Sequence, residues 1–224
     1  MTTPLLALPA YFDPLQDAVA WSLVTARALA VRLVVLNPST GPGPCRQESY
    51  AALAGELRAA GIRRIGYVDT DYGTRPSADV RDECAAFRDW YDVDGVFLDQ
   101  VSSMVDGLDA YEQYVRDARS LGCRTVVLNP GVYPHRAYLD LANLVVTFDG
   151  DLEMHRQVQV PEWAMSLPPE RFAHFVYGVP EGEIDDVRRR VARSNAGTLY
   201  ITDGLAPNPW GTLPKYWEKF AEHG

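Results

Sequence analysis

Short apolar runs rich in β-branched residues alternate along the chain with longer segments of helical periodicity. This alternation is typical of βα units around a parallel sheet. The predicted strands are LLALPA (5–10), RLVVLNP (32–38), RRIGYVDT (63–70), GVFLDQ (95–100), RTVVLNP (124–130), LVVTFDG (144–150), FAHFVYGV (172–179) and TLYITDG (198–204). Because eight parallel strands close a barrel, the pattern predicts an α/β fold of the (β/α)₈ (TIM barrel) type.

Helical patterns fill the intervals between these strands. The clearest cover 50–61, 79–91, 108–122 and 183–195, and a last helix over 213–224 closes the ring. Gly61 and Gly122 follow the last turn of their helices, where a left-handed C-cap favours glycine. Ser77 or Asp79, and also Asp106, stand at predicted N-cap positions.

Length and composition fit one such barrel. The 224 residues lie near the lower end of the ~200 to over 400 found for (β/α)₈ domains, so the loops must be short. No linker or low-complexity segment interrupts the pattern, and residues 1–224 are predicted to form a single domain. The formal net charge of −9, without any Lys/Arg run, argues against a nucleic-acid partner.

The sequence predicts a cytoplasmic protein. The N-terminal apolar run lacks basic residues and is broken by Pro9 and Asp13, so neither a signal peptide nor a membrane span is expected. Cys45, Cys84 and Cys123 are odd in number, widely spaced and without a C-x-x-C pair, which favours reduced, inert thiols.

Neither a metal nor a cofactor is expected. His135, His155, His174 and His223 are scattered and form no H-E-x-x-H or H-x-H motif. The chain also lacks a G-x-G-x-x-G turn after a strand and a G-x-x-x-x-G-K-[ST] phosphate loop.

Polar and aromatic side chains follow the predicted strands, at the end of the barrel where the chemistry of this fold is found. Besides Asp99 and Asp149, the candidate substrate-binding residues are Tyr11, Asn37, Asp69, Asp71, Tyr72, Gln100, Asn129, Tyr177, Asp203, Asn208 and Trp210. Carboxylates and amides bind hydroxyl groups, and aromatic rings stack on sugar faces, so this rim suits a small saccharide or oligosaccharide.

Asp99 and Asp149 are the predicted catalytic pair. Glycosidic cleavage needs two carboxyl groups across the scissile bond, one to protonate the leaving oxygen and one to attack or to activate water. Both aspartates follow apolar runs, VFL and VVTF. Each carboxyl group is therefore expected in the opening at the carboxyl end of the barrel (the mouth), partly shielded from water. The alternatives are that Asp99 caps the next helix and that Asp149 with Gly150 forms a turn.

Other acidic residues have structural alternatives. Asp13 precedes a proline and is expected to cap the first helix. Asp203 precedes a glycine and is equally suited to a turn. Asp69 and Asp71 could order their loop through a salt bridge to Arg75 instead of contacting substrate.

Several segments together resemble spherulation-specific family 4, the spherulin four-like proteins. They are LNPSTGPG (36–43), IGYVDTDYGTR (65–75), WYDVDGVFLDQ (90–100), VVLNPG (126–131), VVTFDG (145–150) and ITDGLAPNPWGTLPKYW (201–217), which run almost the whole length. The resemblance implies a small (β/α)₈ glycoside hydrolase, whose characterised activity is cleavage of amino-sugar polymers of the galactosaminogalactan type.

The chain departs from that family in three respects. Where the family reads Asp-Glu after strand 4, this chain has Asp99 and Gln100, and an amide cannot serve as an acid or a nucleophile. Where the family has Glu after strand 6, this chain has the shorter Asp149. The polymer-degrading members are exported, whereas this N-terminus shows no signal peptide.

The leading hypothesis is an enzyme acting on a glycosyl or other polyhydroxylated small molecule, with Asp99 as base or nucleophile, Asp149 as acid and Gln100 orienting the substrate. The first alternative is a pseudo-enzyme that binds a saccharide without cleaving it. The second is a barrel recruited for non-hydrolytic acid-base chemistry, such as isomerisation or cyclisation in a biosynthetic pathway.

Overall fold

A computed structural model describes residues 4–221 and contains a closed barrel of eight parallel strands, hydrogen-bonded in the order of the sequence. The strands are β1 (Leu5–Ala10), β2 (Val31–Leu36), β3 (Arg63–Asp69), β4 (Gly95–Asp99), β5 (Thr125–Leu128), β6 (Leu144–Asp151), β7 (Phe172–Tyr177) and β8 (Thr198–Ile201). The predicted (β/α)₈ architecture is therefore confirmed, and each predicted strand coincides with an observed one apart from its ends.

Aromatic rings fill part of the barrel interior below the carboxyl ends of the strands. Tyr67, Phe97 and Phe175 stand on β3, β4 and β7, and Phe97 stacks between the other two with ring centroids 6.3 and 6.2 Å away. Because alternate residues of a strand face the same side, these inward rings also direct Asp69, Asp99 and Tyr177 into the barrel, one step nearer the mouth.

The helices surround the barrel. They are α1 (Ala18–Ala26), α2 (Glu48–Ala59), α3 (Ser77–Tyr91), α4 (Leu108–Ser120), α5 (Tyr138–Leu141), α6 (Leu152–His155), α7 (Glu162–Met165), α8 (Ile184–Arg193) and α9 (Trp217–Ala221). The last begins four residues later than predicted, at Trp217 instead of 213, and residues 222–224 of the predicted helix lie outside the described residues. None of the helices within 4–221 is long and apolar enough to cross a membrane.

The helix ends agree only partly with the sequence prediction. Gly61 and Gly122 adopt φ of +80° and +86° after α2 and α4, which confirms both C-caps. The predicted N-caps are wrong, because Pro76 precedes α3 and Gly107 precedes α4, neither with a side-chain cap. At α4 a single 3₁₀ turn, Val105–Gly107, leads into the helix and places Asp106 inside that turn instead of at the cap.

Asp13 does not cap the first helix as predicted, because α1 begins at Ala18 with Asp17 at its N-cap position, whereas the cysteines are free thiols as expected. Asp13 Oδ1 accepts hydrogen bonds from the backbone N–H groups of Leu15 and Gln16 at 2.8 and 3.0 Å, in the turn that leads to α1. The three cysteines are free thiols: Cys84 and Cys123 are buried and Cys45 is exposed. Burial raises the pKa of Cys123 to about 11, which keeps that thiol protonated and unreactive.

Candidate active site

Asp99 and Asp149 meet through one side chain at the carboxyl end of the barrel. Asn129 follows β5, which lies between β4 and β6 in the barrel. Its Nδ2 donates to Asp99 Oδ1 at 2.7 Å and to Asp149 Oδ2 at 2.8 Å. Because both carboxylate oxygens bind the same nitrogen, they lie no more than 5.5 Å from each other.

The orientation of the Asn129 amide is fixed by its own loop. Its Oδ1 accepts a hydrogen bond from the backbone N–H of Gly131 at 3.0 Å, so the NH₂ group must face the carboxylates. The Gly131 carbonyl in turn accepts the backbone N–H of Asp149 at 3.2 Å. With Asn129 itself only 7% exposed, the bridge between the two acids belongs to a rigid part of the fold.

The structure favours neither of the structural alternatives for the two acids. The 3₁₀ turn that leads into α4 begins at Val105, six residues beyond Asp99, so this carboxylate caps no helix. Strand β6 continues through Asp149 and Gly150 instead of turning there. The capping role falls to Asp151, whose side chain accepts the backbone N–H of Met154 at 2.8 Å. Both inward carboxyl groups are therefore left for the barrel mouth.

Tyr67 is a member of the site that the sequence analysis missed. Its hydroxyl donates to Asp99 Oδ2 at 2.9 Å, so Asp99 receives one donor on each oxygen. The residue lies inside β3 and is only 5% exposed, and in the sequence it resembles an ordinary core aromatic. The sequence could have indicated this role, because side chains two residues apart in a strand face the same side, and Tyr67 precedes Asp69 by two residues.

Burial dominates the electrostatics of the pair. It raises the pKa of Asp149 to about 7, opposed by the Asn129 hydrogen bond and reinforced by the charge of Asp99. Burial also raises the pKa of Asp99, but hydrogen bonds from Tyr67, the backbone of Gln100 and Asn129 favour its ionised form. The two acids thus have different environments, with Asp149 the better proton donor.

Gln100 and Asp69 form a second polar pair beside the first. Gln100 Nε2 donates to Asp69 Oδ2 at 3.1 Å, and Asp69 Oδ1 accepts the backbone N–H of Asp71 at 2.7 Å. Asp71 also accepts the hydroxyl of Thr74 at 2.6 Å. Arg75 does not pair with either carboxylate: it binds the Asp69 carbonyl and forms its ion pair with Glu83 at 2.7 Å.

Aromatic side chains form one wall of the mouth. The Tyr11 ring packs edge-on against Tyr67 at 5.5 Å, and its pKa is raised by burial and then by the charge of Asp99. Tyr177 packs edge-on against Trp210 at 5.9 Å, but Trp210 is only 8% exposed and packs mainly into the core. Tyr72 is 60% exposed on the rim.

Two of the predicted contact residues, Asn37 and Asp203, have side-chain roles in their own loops. Asn37 Oδ1 accepts the backbone N–H of Gly41 at 2.8 Å. Asp203 accepts the backbone N–H of Lys215 at 3.2 Å and pairs with its ammonium group at 3.4 Å. Asn208 is exposed in the loop after β8. Contact of these three residues with a substrate stays a prediction. The side-chain oxygens of Asn37 and Asp203 already accept hydrogen bonds from their own loops.

The buried histidines lie elsewhere. His155 of α6 and His174 of β7 face each other with 3.0 Å between ring nitrogens, and Phe148 packs against both. Burial lowers the pKa of His155 to about 4 and holds that of His174 well below its usual value. Among residues 4–221, no three His, Cys, Asp or Glu side chains are grouped as a metal site.

Comparison with known proteins identifies the family. The sequence matches spherulation-specific family 4 over residues 5–223. The chain belongs to this family. Spherulin-4 of Physarum polycephalum is 28% identical over 217 residues, which cover 90% of this chain and 64% of the longer relative. The chain thus spans somewhat less than two thirds of that family member.

Solved structures show how widely the barrel of this family member is shared. Sph3 of Aspergillus clavatus, solved in complex with GalNAc, superposes with a TM-score of 0.85 at 23% identity, covering 99% of this chain and 97% of Sph3. The tryptophan synthase A-subunit of Pyrococcus furiosus gives 0.58 at 16% identity, covering 100% and 97%. At these identities the likeness shows the fold, and the chemistry has to be argued from the site.

Proposed function

We propose that this family member is an enzyme that cleaves or transfers a glycosyl group by acid-base chemistry of Asp99 and Asp149. The observation that carries the proposal is the Asn129 bridge, which holds one oxygen of each of the two carboxyl groups within 5.5 Å of the other. Such a separation corresponds to that of retaining glycosidases, about 5 to 5.5 Å, in which the second carboxylate is the nucleophile.

In the proposed reaction Asp99 attacks the anomeric carbon while the bond to the leaving oxygen breaks, and that oxygen takes the proton of Asp149. Water then attacks the same carbon of the glycosyl-enzyme, its proton passes to Asp149, and Asp99 is released. The assignment follows from the two environments: Asp149 has a pKa of about 7, whereas donors on both oxygens support an ionised Asp99.

An N-acetylated hexosamine is the proposed substrate class. Sph3, which shares the fold over nearly its whole length, was solved with GalNAc. In this chain the Tyr11 ring and the exposed Tyr72 supply aromatic surface beside the acids, and Asp69 and Gln100 offer oxygen and amide groups for sugar hydroxyls. The remaining rim residues, including Tyr177 and Asn208, are proposed outer contacts.

A saccharide-binding protein without hydrolysis is the second candidate, favoured by one observation. At position 100, where the resemblance implies a glutamate, the neutral amide of Gln100 is engaged by Asp69. If catalysis requires both the Asp and the Glu that the family has after β4, this chain would bind a saccharide without hydrolysing it.

The decisive experiment separates these two functions. The purified protein is assayed on aryl N-acetylhexosaminides and on N-acetylated oligosaccharides, with the product anomer followed by NMR and binding measured by calorimetry. Asp99→Asn and Asp149→Asn should each lower kcat by at least about 100-fold. Saccharide binding without turnover would replace the enzyme proposal with the binding protein, and neither binding nor turnover would contradict both.

Asn129→Ala is the variant that tests the bridge itself. This substitution removes the amide that donates to both Asp99 and Asp149, so that neither their separation nor their ionisation is held as in the parent. We expect kcat to fall by at least tenfold. Asn143→Ala is the matched control, because this amide also binds a backbone N–H at the end of a strand, at 2.8 Å from Val126 N, but lies at the opposite end of the barrel. Equal losses in both variants would contradict a special role for Asn129.

The proposed compartment is the cytoplasm. The support is that Cys45, Cys84 and Cys123 are all free thiols. Fractionation of cells that produce the protein tests the proposal, and recovery from the culture medium would contradict it.

A further inference from the structure

A cavity lies at the opposite end of the barrel from the two acids. It has a volume of about 580 Å³ and is lined at the amino ends of β2 to β6. Its charged lining residues are Arg32, Arg63, Asp94, Arg88 and Arg124. Leu33 and Leu144 contribute apolar surface, and Asn143 contributes an amide. The volume falls in the range typical of small-molecule sites, about 300 to 1,000 Å³.

The charge of this cavity contrasts with that of the whole chain. Four guanidinium groups surround it, whereas the protein carries a formal net charge of −9. The only lining carboxylate, Asp94, is already paired: it accepts the backbone N–H of Arg64 at 2.8 Å and forms an ion pair with its guanidinium at 3.0 Å. The cavity is therefore a local positive region on an acidic protein.

The four arginines differ in their partners: Arg88 forms an ion pair with Asp92 at 3.5 Å, and the negative charge of Glu170 acts on Arg32. Arg32 donates to two neutral acceptors, the Glu170 carbonyl at 2.8 Å and the Thr198 hydroxyl at 2.7 Å. Within the described part of the chain, Arg63 and Arg124 have no hydrogen bond or ion pair through their side chains. The positive charge of Arg63 also opposes that of Arg32, and together with burial it lowers the pKa of Arg32.

The dipole of a helix explains the position of only one of the four lining arginines. Cations near the last carbonyls of a helix offset its dipole, and Arg88 does so in the last turn of α3, where it also binds the Val93 carbonyl. Arg63 begins a strand and Arg124 precedes one. Since neither belongs to a helix, the dipole explains neither, and among the described residues neither side chain has an ion pair of its own.

We infer that this cavity is a binding site for a phosphorylated small molecule, held by Arg63 and Arg124 with Arg32 beside them. Guanidinium groups bind phosphate oxygens in a bidentate manner, and several of them around one cavity favour a group with two negative charges. The volume exceeds that of a single phosphate, and the apolar and amide surface offers contacts for an organic part. The site is separate from the carboxylate pair and does not depend on the proposed glycosyl chemistry.

Thermal unfolding with added anions tests the inference. The probes are glucose 6-phosphate and inorganic phosphate, at constant ionic strength with chloride as the reference. A ligand of the native state at a hundred times its Kd should raise Tm by about 5 °C or more. A larger shift with glucose 6-phosphate indicates an organic phosphate, whereas equal shifts indicate that the phosphate group alone is recognised.

The matched variants remove the same charge from different places. The double variant Arg63→Ala/Arg124→Ala should lose most of the phosphate-induced shift, and without ligand its Tm should not fall, because like charges are removed. Arg116→Ala/Arg189→Ala removes two exposed arginines of α4 and α8 and should keep the shift.

Two outcomes would overturn the site. One is an equal phosphate-induced shift in both double variants, and the other is no shift with either probe at millimolar concentration. Line broadening of the phosphorus NMR signal provides the same comparison at a temperature where every variant is folded. Asp99→Asn should leave phosphate binding unchanged, so a failure of the enzyme proposal can be distinguished from a failure of this one.

Discussion

The hydroxyl of Tyr67 donates a hydrogen bond of 2.9 Å to Oδ2 of Asp99, from one strand of the barrel to the next. The bond leaves Asp99 with a donor on each oxygen inside a largely buried site. A hydrogen bond to a charged group contributes about 1.5 to 3 kcal/mol, which is enough to influence which acid keeps the proton. The division of roles between Asp99 and Asp149 therefore depends on a tyrosine.

Tyr67→Phe should raise the pKa of Asp99, because it removes a donor that favours the ionised form. We expect kcat to fall about tenfold and the acidic limb of the pH-rate profile to move to higher pH. Tyr50→Phe removes a buried hydroxyl at α2 and is the control. A pH-rate profile that Tyr67→Phe leaves in place would contradict the role of this bond.

Asp149 should make the stability of the protein depend on pH. Its pKa of about 7 lies above the ordinary 3.8, so the folded protein holds this proton more tightly than the unfolded chain. The resulting stabilisation is complete below about pH 4 and is lost as the pH rises through 7. Asp149→Asn should therefore be more stable than the parent at pH 8, by up to about 4 kcal/mol, with no gain from this source at pH 4.

Urea unfolding at both pH values measures this difference. Asp82→Asn, an exposed residue of α3, serves as the control and should show no such pH dependence. A gain of equal size at pH 4 and pH 8 would mean that the charge of Asp149 is not its cause.

Gln100→Glu should increase glycosidic turnover. The new carboxyl group would lie where Gln100 Nε2 now lies, 3.1 Å from Asp69 Oδ2, and two carboxyl groups so close share a proton. A protonated Glu at this position is a further acid beside Asp99, and we expect kcat on aryl glycosides to rise at least tenfold with little change in KM.

The control for this substitution is another amide-to-carboxylate bond. Gln113 Nε2 donates to Asp117 Oδ2 at 2.9 Å on α4, away from the mouth, so Gln113→Glu creates the same kind of pair without a catalytic context. No gain in turnover from Gln100→Glu, with saccharide binding retained, would indicate that position 100 does not limit the reaction.

Gly95→Ala should destabilise the barrel strongly. A Cβ at this first residue of β4 would lie 1.8 Å from the Thr125 carbonyl oxygen on β5, which is backbone and cannot move aside. We expect a loss of at least about 3 kcal/mol in urea unfolding. Gly55→Ala is the control: it lies inside α2 with nothing within 4 Å, and should gain about 0.5 to 1 kcal/mol. Similar effects of the two would contradict the steric argument.

The sequence alone determined the barrel and the position of its polar rim. Alternating β-branched runs and helical periods specify eight βα units, and the residue that ends each run must lie at the carboxyl face. The position of Asp99 and Asp149 at that face follows from the same logic, but their inward direction does not, because strands of a parallel barrel are buried on both faces. Local chemistry also indicated the C-caps at Gly61 and Gly122.

Only the tertiary structure decided which polar groups bind one another. Asn129 and Asn37 are both the asparagine of a VVLNP motif and both accept a backbone N–H of their own loop, yet only Asn129 stands between two strands that end in acids. Tyr67 contacts Asp99 through the register of β3 with β4. Closure of the barrel also gathers Arg32, Arg63 and Arg124 around one cavity, although they are far apart in sequence. Sequence patterns report where a strand ends, whereas the direction and the partners of a side chain depend on strand order and register, which closure of the ring fixes.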